Sequence, residues 1–213
     1  MGTYSKNTYT RPELHDRIVT TAVDLFTLHG IRSITMDHIA ASLGISKRTL
    51  YEEFLDKETL LQACIMRSQD QMDDFVRGLL EETDNVLEVI LKIFQHSIER
   101  FHETNKQFFE DIKKYPKAYE LMTARRAKDS EATVNFFKEG IHQGLFREDV
   151  NFEIMSLLVH EQMNLLMNTD ICEKFSFLAV YESIMFTYLR GISTDKGAQE
   201  LEAFIKEYRT KNN

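Results

Sequence analysis

The sequence predicts an all-α protein, and three observations carry that prediction. Only two prolines and eight glycines punctuate 213 residues, while Glu, Lys, Leu and Met, all good helix formers, are abundant. Apolar residues recur at spacings of three and four along most of the chain, and no stretch shows the alternation a strand requires. Ser, Thr, Asp or Asn stands ahead of most of these patterns, and glycine closes several.

The elements follow in order. Residues 1–10 read as a flexible polar tail. From Arg11 a helical pattern begins in which Leu14, Ile18, Ala22, Leu25 and Phe26 mark one apolar face, closed by Gly30. Two short helices come next. Thr35 caps the first, with Asp37 in the turn where the helix dipole favours an anion. Its buried face is Ile39, Ala40 and Leu43, and Gly44 stops it. Ser46 caps the second, in which Leu50 and Phe54, four apart, point inward together. Asp56 caps another helix, whose stripe begins at Leu60, Leu61, Cys64 and Ile65.

The remainder is helix after helix. Asn85 and Glu88 make a capping-box-like start for a helix ending near Thr104. A shorter one covers Asn105–Lys114, and Pro116 opens a long helix running to about Gln143. Gly144–Asn151 is a break, after which Asn151 caps a helix to about Asn168. The last two are expected from about Ser176 to Arg190, stopped by Gly191, and from about Lys196 to Arg209.

Charge gives no global attraction for nucleic acid, because the net charge is −8. Residues 1–60 hold seven Lys/Arg against eight Asp/Glu, so this part is nearly neutral and the rest carries −7. Any contact with DNA must be built locally. Cys64 and Cys172 match no metal or redox spacing. Each lies in an apolar helical pattern, which predicts buried thiols. The first ten residues lack a signal peptide's apolar run. Met1-Gly2 is not followed by the Ser or Thr that myristoylation needs where Lys6 stands. No stretch reaches the roughly 18 apolar residues of a membrane span. A cytoplasmic protein without cofactor or membrane partner is expected.

The sharpest local signal is at residues 35–54. Leu43-Gly44-Ile45-Ser46 joins two short helices, and so tight a turn crosses them steeply and exposes the second. Its first turn offers Lys47, Arg48 and Thr49. A helix presented this way fits the major groove with its N-terminal residues at base edges. Lys and Arg donate to guanine or to phosphate, and Thr meets a thymine methyl or hydrogen-bonds. Spacing alone leaves a plain helical hairpin as the alternative.

The string from Thr35 to Leu61, TMDHIAASLGISKRTLYEEFLDKETLL, closely resembles the DNA-binding domain of the TetR family of regulators. Ile18, Ala22, Leu25, Phe26 and Gly30 look like that family's first helix, so the resemblance spans residues 14–61. A weaker one, at Gly140, Gly144, Leu145, Phe146, Arg147 and Asp149, is to a loop between two helices of the family's C-terminal domain. The resemblance implies an N-terminal three-helix helix-turn-helix DNA-binding domain, residues 11–57, followed by a helical ligand-binding and dimerisation domain, residues 58–213. It implies a sequence-specific transcriptional regulator, a repressor released from palindromic double-stranded operator DNA when a small, mostly apolar effector binds.

Residue by residue, the family pattern implies that Thr35 offers its hydroxyl and a helix N-terminus to a phosphate. Lys47, Arg48 and Thr49 face bases, Tyr51 gives its hydroxyl to a phosphate, and Lys57 contacts the DNA backbone. Two departures stand out. Arg48 occupies a position where many members have a small residue. Glu52 and Glu53 follow Tyr51 where members often carry aromatic or neutral polar residues. Either they point along the groove, where Glu accepts from cytosine N4, or they lie on a solvated face, the reading preferred here.

The same resemblance implies a homodimer formed by the last long helices. Ile154, Leu157, Leu158, Glu161 and Leu165 share one face of the helix after Asn151, and the expected interface is Ile154, Leu158, Leu165, Val180, Tyr181, Ile184 and Tyr188. Such a dimer sets two recognition helices about one DNA turn or a multiple apart. An effector pocket is implied as well, with Phe94, Ile98, Phe101, Phe108, Phe109, Met122, Phe136, Phe137, Met155 and Met163 available to line it. An ordinary packed core is the alternative for each.

One pattern opens an enzyme reading. Glu99/His102 and Glu139/His142 are two Glu-x-x-His pairs, as used by di-iron carboxylate four-helix bundles. With 21 Glu and seven His in the chain such pairs arise readily by chance, and Gly140 and Gly144 place the second near a helix end. No nucleophile elbow, P-loop or dinucleotide fingerprint is present, so the chain is read as a non-enzyme. A helical protein-binding adaptor would explain the body and leave residues 35–57 without a purpose.

Overall fold

The computed structural model describes residues 10–124, 130–169 and 171–212, apart from the side chains of residues 124, 130–132, 163, 167, 168, 172, 173, 211 and 212. The described residues form α1 (Arg11–His29), α2 (Met36–Leu43), α3 (Lys47–Glu53), α4 (Lys57–Glu82), α5 (Val86–Glu103) and α6 (Lys106–Ile112). There follow α7 (Pro116–Ala124), α8 (Ser130–His142), α9 (Phe152–Asn168), α10 (Ile171–Lys174), α11 (Phe177–Ile192) and α12 (Asp195–Asn212). The all-α expectation holds, and the only extended pairing among these residues is an isolated bridge between Phe146 and Ser193. No helix among them is long and apolar enough to cross a membrane. The expected tail lies outside the described residues except for Thr10, whose N–H bonds the Glu13 carboxylate at 2.8 Å to open α1.

Two compact units result. The described residues up to Asp73, with Arg100–Met122, form the first; Asp74–Glu99, with those from Thr123 onward, form the second. Residues 11–57 therefore lie inside a body that also takes in α6, most of α7 and the first part of α4.

In the first unit, Leu14, Ile18, Val19, Ala22 and Phe26 of α1 pack with Ile39 and Ala40 of α2, Leu50 of α3 and Leu60, Leu61 and Ile65 of α4. Ile112 and Ala118 complete this core. Cys64 is buried in it, and burial pushes its thiol up to about 12, which leaves it unreactive at neutral pH. The cap residues do the work their types suggest. Thr35 Oγ1 accepts from His38 N at 3.1 Å, Ser46 Oγ from Thr49 N at 3.0 Å, and Asp56 Oδ1 from Thr59 N at 2.7 Å. The bonds from the Thr59 backbone N–H and hydroxyl hold the Asp56 carboxyl below the usual range. Gly44 has φ 66° with its N–H on the carbonyls of Ala40 and Ala41. A Cβ there would meet no neighbour, so the left-handed backbone alone requires glycine.

In the second unit, Val86, Leu87, Leu91, Phe94 and Ile98 of α5 pack with Phe152, Phe186, Leu189, Leu201 and Ile205. The break after α8 is pinned to the turn between α11 and α12. Arg147 N donates to Ile192 O at 2.9 Å and Thr194 N to Leu145 O at 3.0 Å; Lys196 Nζ donates to Gln143 O at 2.9 Å.

That pinning corrects one expectation. Gly191 does not stop α11, which runs through it to Ile192. The helix ends at Ser193, extended at φ −77° and ψ 146°, because residues 192–194 turn their backbone to the loop at 145–147. The short α10 was not expected. The middle of the expected 116–143 helix, residues 125–129, lies outside the described residues, as does the side chain of Cys172.

Candidate nucleic-acid interface

α3 is seven residues long and buries one side chain fully, Leu50. Its anchoring turns the opposite face outward. The side chains of Lys47 and Arg48 are 67% and 89% exposed, and Tyr51 is exposed. Thr49 is half-buried, and its hydroxyl lies 2.7 Å from that of Ser46. Thr35 stands at the N-cap of α2 with its oxygen occupied by His38 N–H, which leaves its hydroxyl proton available to an acceptor.

The electrostatics are compensated side chain by side chain. Lys47 Nζ pairs with Asp37 of α2. Arg48 Nε donates to Glu52 Oε1 at 2.8 Å, one turn along the same helix. Arg11 Nε, in the first turn of α1, donates to Glu53 Oε1 at 2.8 Å. The two adjacent carboxylates thus have different roles. Glu52 is exposed on the outer face of α3, its side chain 60% accessible. Glu53 lies neither there nor along a groove: its side chain is 10% exposed, and it ties the end of α3 to the start of α1. Because Lys47 is neutralised by Asp37, Asp37→Asn is expected to raise affinity for arbitrary duplex DNA about two- to fivefold at low salt and steepen its salt dependence. Titration at two or more salt concentrations checks this.

Lys57 is placed differently from a plain surface lysine. Its ammonium donates to the carbonyls of Ile31 and Ile34 and sits over the rings of Phe26 and Tyr115, at 5.7 and 6.0 Å from their centroids. Burial lowers its pKa from the ordinary lysine value, and the nearby Asp111 charge opposes that shift. It therefore holds the turn ahead of α2. Sequence reasoning missed Asp111 altogether. It is fully buried, and its Oδ2 accepts from Arg32 N at 2.7 Å. Nothing local distinguishes it from other helical carboxylates.

The residues expected around an effector divide between the two units. Phe108 and Met122 pack on the first core, and Phe101 stacks on Phe109 at 5.2 Å. Phe94 and Ile98 are buried in the second core, with Phe136, Phe137 and Met155 against it. Phe94 lies 5.0 Å from Phe186, and Phe137 lies 4.8 Å from Phe152. The side chain of Met163 is outside the described residues. A groove of about 530 Å³ between α5 and α12 is lined by Leu91, Gln95, Phe204, Tyr208 and their neighbours, none of them an expected effector residue.

On α9, Ile154, Leu157, Leu158 and Leu165 are all exposed and share one face. On α11, Val180, Tyr181, Ile184 and Tyr188 are half-buried. Tyr181 stacks on Phe94 at 5.4 Å and on Phe177 at 5.7 Å, so its ring is engaged within its own unit. The Glu-x-x-His pairs are exposed, with Glu139 and His142 3.5 Å apart at the end of α8. Among the described residues no three His, Cys, Asp or Glu side chains are grouped to hold a metal.

Comparison with known proteins gives the frame for this geometry. The model of the bacterial regulatory proteins of the tetR family matches residues 18–64, the span from α1 into α4. The HTH-type transcriptional repressor KstR2 of Mycolicibacterium smegmatis is 22% identical over 152 residues, 68% of this chain and 74% of that protein. The uncharacterized HTH-type transcriptional regulator YvaF of Bacillus subtilis is 27% identical over 169 residues, 78% of this chain and 89% of its own. A putative transcriptional regulator from Saccharomonospora viridis, solved in complex with choline, shares the fold with a TM-score of 0.66 at 17% identity, covering 86% of this chain and 100% of that one. Residues 18–64 thus carry the DNA-binding segment of the tetR family of bacterial regulatory proteins, and the chain as a whole is similar to HTH-type transcriptional regulators.

Proposed function

We propose that this protein represses transcription in the cytoplasm by binding a palindromic operator as a homodimer, with residues 11–57 as the DNA-binding module. The observation that carries this reading is α3 itself. It is a short helix held by Leu50 that turns Lys47, Arg48 and Tyr51 outward together. Lys47, Arg48 and Thr49 are the base readers, and Thr35 and Tyr51 contact phosphates. Lys57 acts on the DNA backbone through the turn it holds, besides any direct contact. Selection from a random duplex pool tests the reading. The expected result is an enriched site with two-fold symmetry, bound with a steep salt dependence. Equal affinity for random and selected DNA would sink it.

The dimer reading is supported by the exposed apolar face of α9, a surface a monomer in water has reason to cover. Leu158→Asp is expected to convert the protein to a monomer in sedimentation and to lower operator affinity at least about tenfold, because each half-site then binds alone. A small-molecule effector is suggested by the likeness to regulators, while the aromatic side chains of α5 and α8 pack against other rings. One structural neighbour was solved with choline, a quaternary ammonium cation, bound. To act, an effector must bind two geometries of the dimer unequally.

A further inference from the structure

Glu52 is the one carboxylate of the helix-turn-helix that the fold leaves unexplained. Asp37 compensates Lys47, and Glu53 fastens α3 to α1. Glu52 has a side chain 60% exposed and accepts from Arg48 Nε at 2.8 Å. On a surface that meets phosphates a carboxylate is repelled, so it lowers affinity for every sequence alike. What it does in return is fix a guanidinium. Arg48 carries five N–H donors in one plane. With Nε held by Glu52, the two Nη groups remain at the far end, and a pair of parallel N–H donors matches O6 and N7 of guanine. Arg48 is the second residue of α3, among those that reach base edges in this docking mode.

We propose that Arg48 and Glu52 read one G·C pair as a unit. Arg48 donates through its Nη groups to O6 and N7 of the guanine, and Glu52 is a positioning residue that holds the guanidinium by Nε. The inference rests on the DNA-binding reading above. In water so exposed an ion pair is weak. In a groove from which water is excluded the same hydrogen bond strengthens and aims the fork. Because the pair is neutral, it adds sequence discrimination and little general attraction for the backbone.

The test is duplex selection with the full-length wild type and with Glu52→Ala, Glu52→Gln and Arg48→Ala, followed by affinities for every single-base replacement of the enriched site. The wild type is expected to require guanine at one position per half-site, and Arg48→Ala to lose that preference there alone. Glu52→Ala should lower discrimination at the same position about tenfold while affinity for random duplex rises, because a negative charge has gone. Glu52→Gln keeps an oxygen for Nε and should retain most of the discrimination, which a purely electrostatic role would not allow. Several results would overturn the inference and leave the regulator reading intact. They are full discrimination in Glu52→Ala, an Arg48-dependent position that is not guanine, and Gln behaving as Ala. If the wild type enriches no symmetric site, the regulator reading fails and the inference with it.

Discussion

Gly197→Ala is expected to lower the thermal unfolding temperature by about 6–12 °C, from a loss of about 3 kcal/mol at 2–4 °C for each kcal/mol in a chain of this length. A Cβ at residue 197 would lie 2.2 Å from the backbone oxygen of Leu145 and 3.3 Å from Ser193 Cβ. The oxygen has no room to yield. It accepts from Thr194 N at 3.0 Å and from Thr194 Oγ1 at 3.3 Å. The next residue, Phe146, is wedged over Gly140, where a Cβ would come within 2.3 Å of its ring. Relief requires the first turn of α12 to part from the loop, and the bonds between residues 143–147 and 192–196 go with it. Circular dichroism melting checks the shift. Gly78→Ala, in α4 with nothing within 4 Å of the added carbon, is the control and should stabilise by about 0.5–1 kcal/mol.

What the sequence made legible is what short stretches of chain decide. Thr35, Ser46, Asn151 and Ser176 announce their helices because the bond each makes reaches only three residues ahead. Lys47 and Arg48 could be picked out as outward-facing because Leu50 and Phe54 fix the buried side of one short helix. Partners far along the chain were not legible. Glu53 meets Arg11 across 42 residues, and Asp111 meets Arg32 across 79; neither follows from periodicity. Periodicity also places large aromatics inside without saying what they face. Phe94 and Phe137 were candidates for a cavity wall and lie against other rings. Gly191 shows a local signal overridden, since the backbone bonds at residues 192–194 decide where α11 ends.

Asp111→Ala should destabilise the first unit by about 2–4 kcal/mol, because it removes one partner from a buried polar network and leaves the others in place. The carboxylate has 0% exposure. It accepts from Arg32 N at 2.7 Å and from Gln107 Nε2 at 3.3 Å, with Lys114 Nζ 3.8 Å away. It also opposes the half-buried charge of Lys57, whose ammonium holds the Ile31 and Ile34 carbonyls. The neighbouring end of α1 is fastened to α6 by Asn105, whose N and Nδ2 donate to Thr27 O at 2.7 Å and Leu28 O at 3.1 Å. The turn so held leads into Thr35 and the start of α2. Loss of Asp111 should therefore weaken operator binding about tenfold even under conditions where the variant is folded, since an ordering cost moves onto the bound state. Asp111→Asn keeps an acceptor for Arg32 N and loses only the charge, so it should fall between wild type and Ala. Lys57→Met sharpens the argument. If Asp111 serves mainly to balance Lys57, removing both should cost less than the sum of the single losses in denaturant unfolding, by at least about 0.5 kcal/mol. Strict additivity would mean that the turn is held by two independent clasps, and that only the Arg32 bond explains the aspartate.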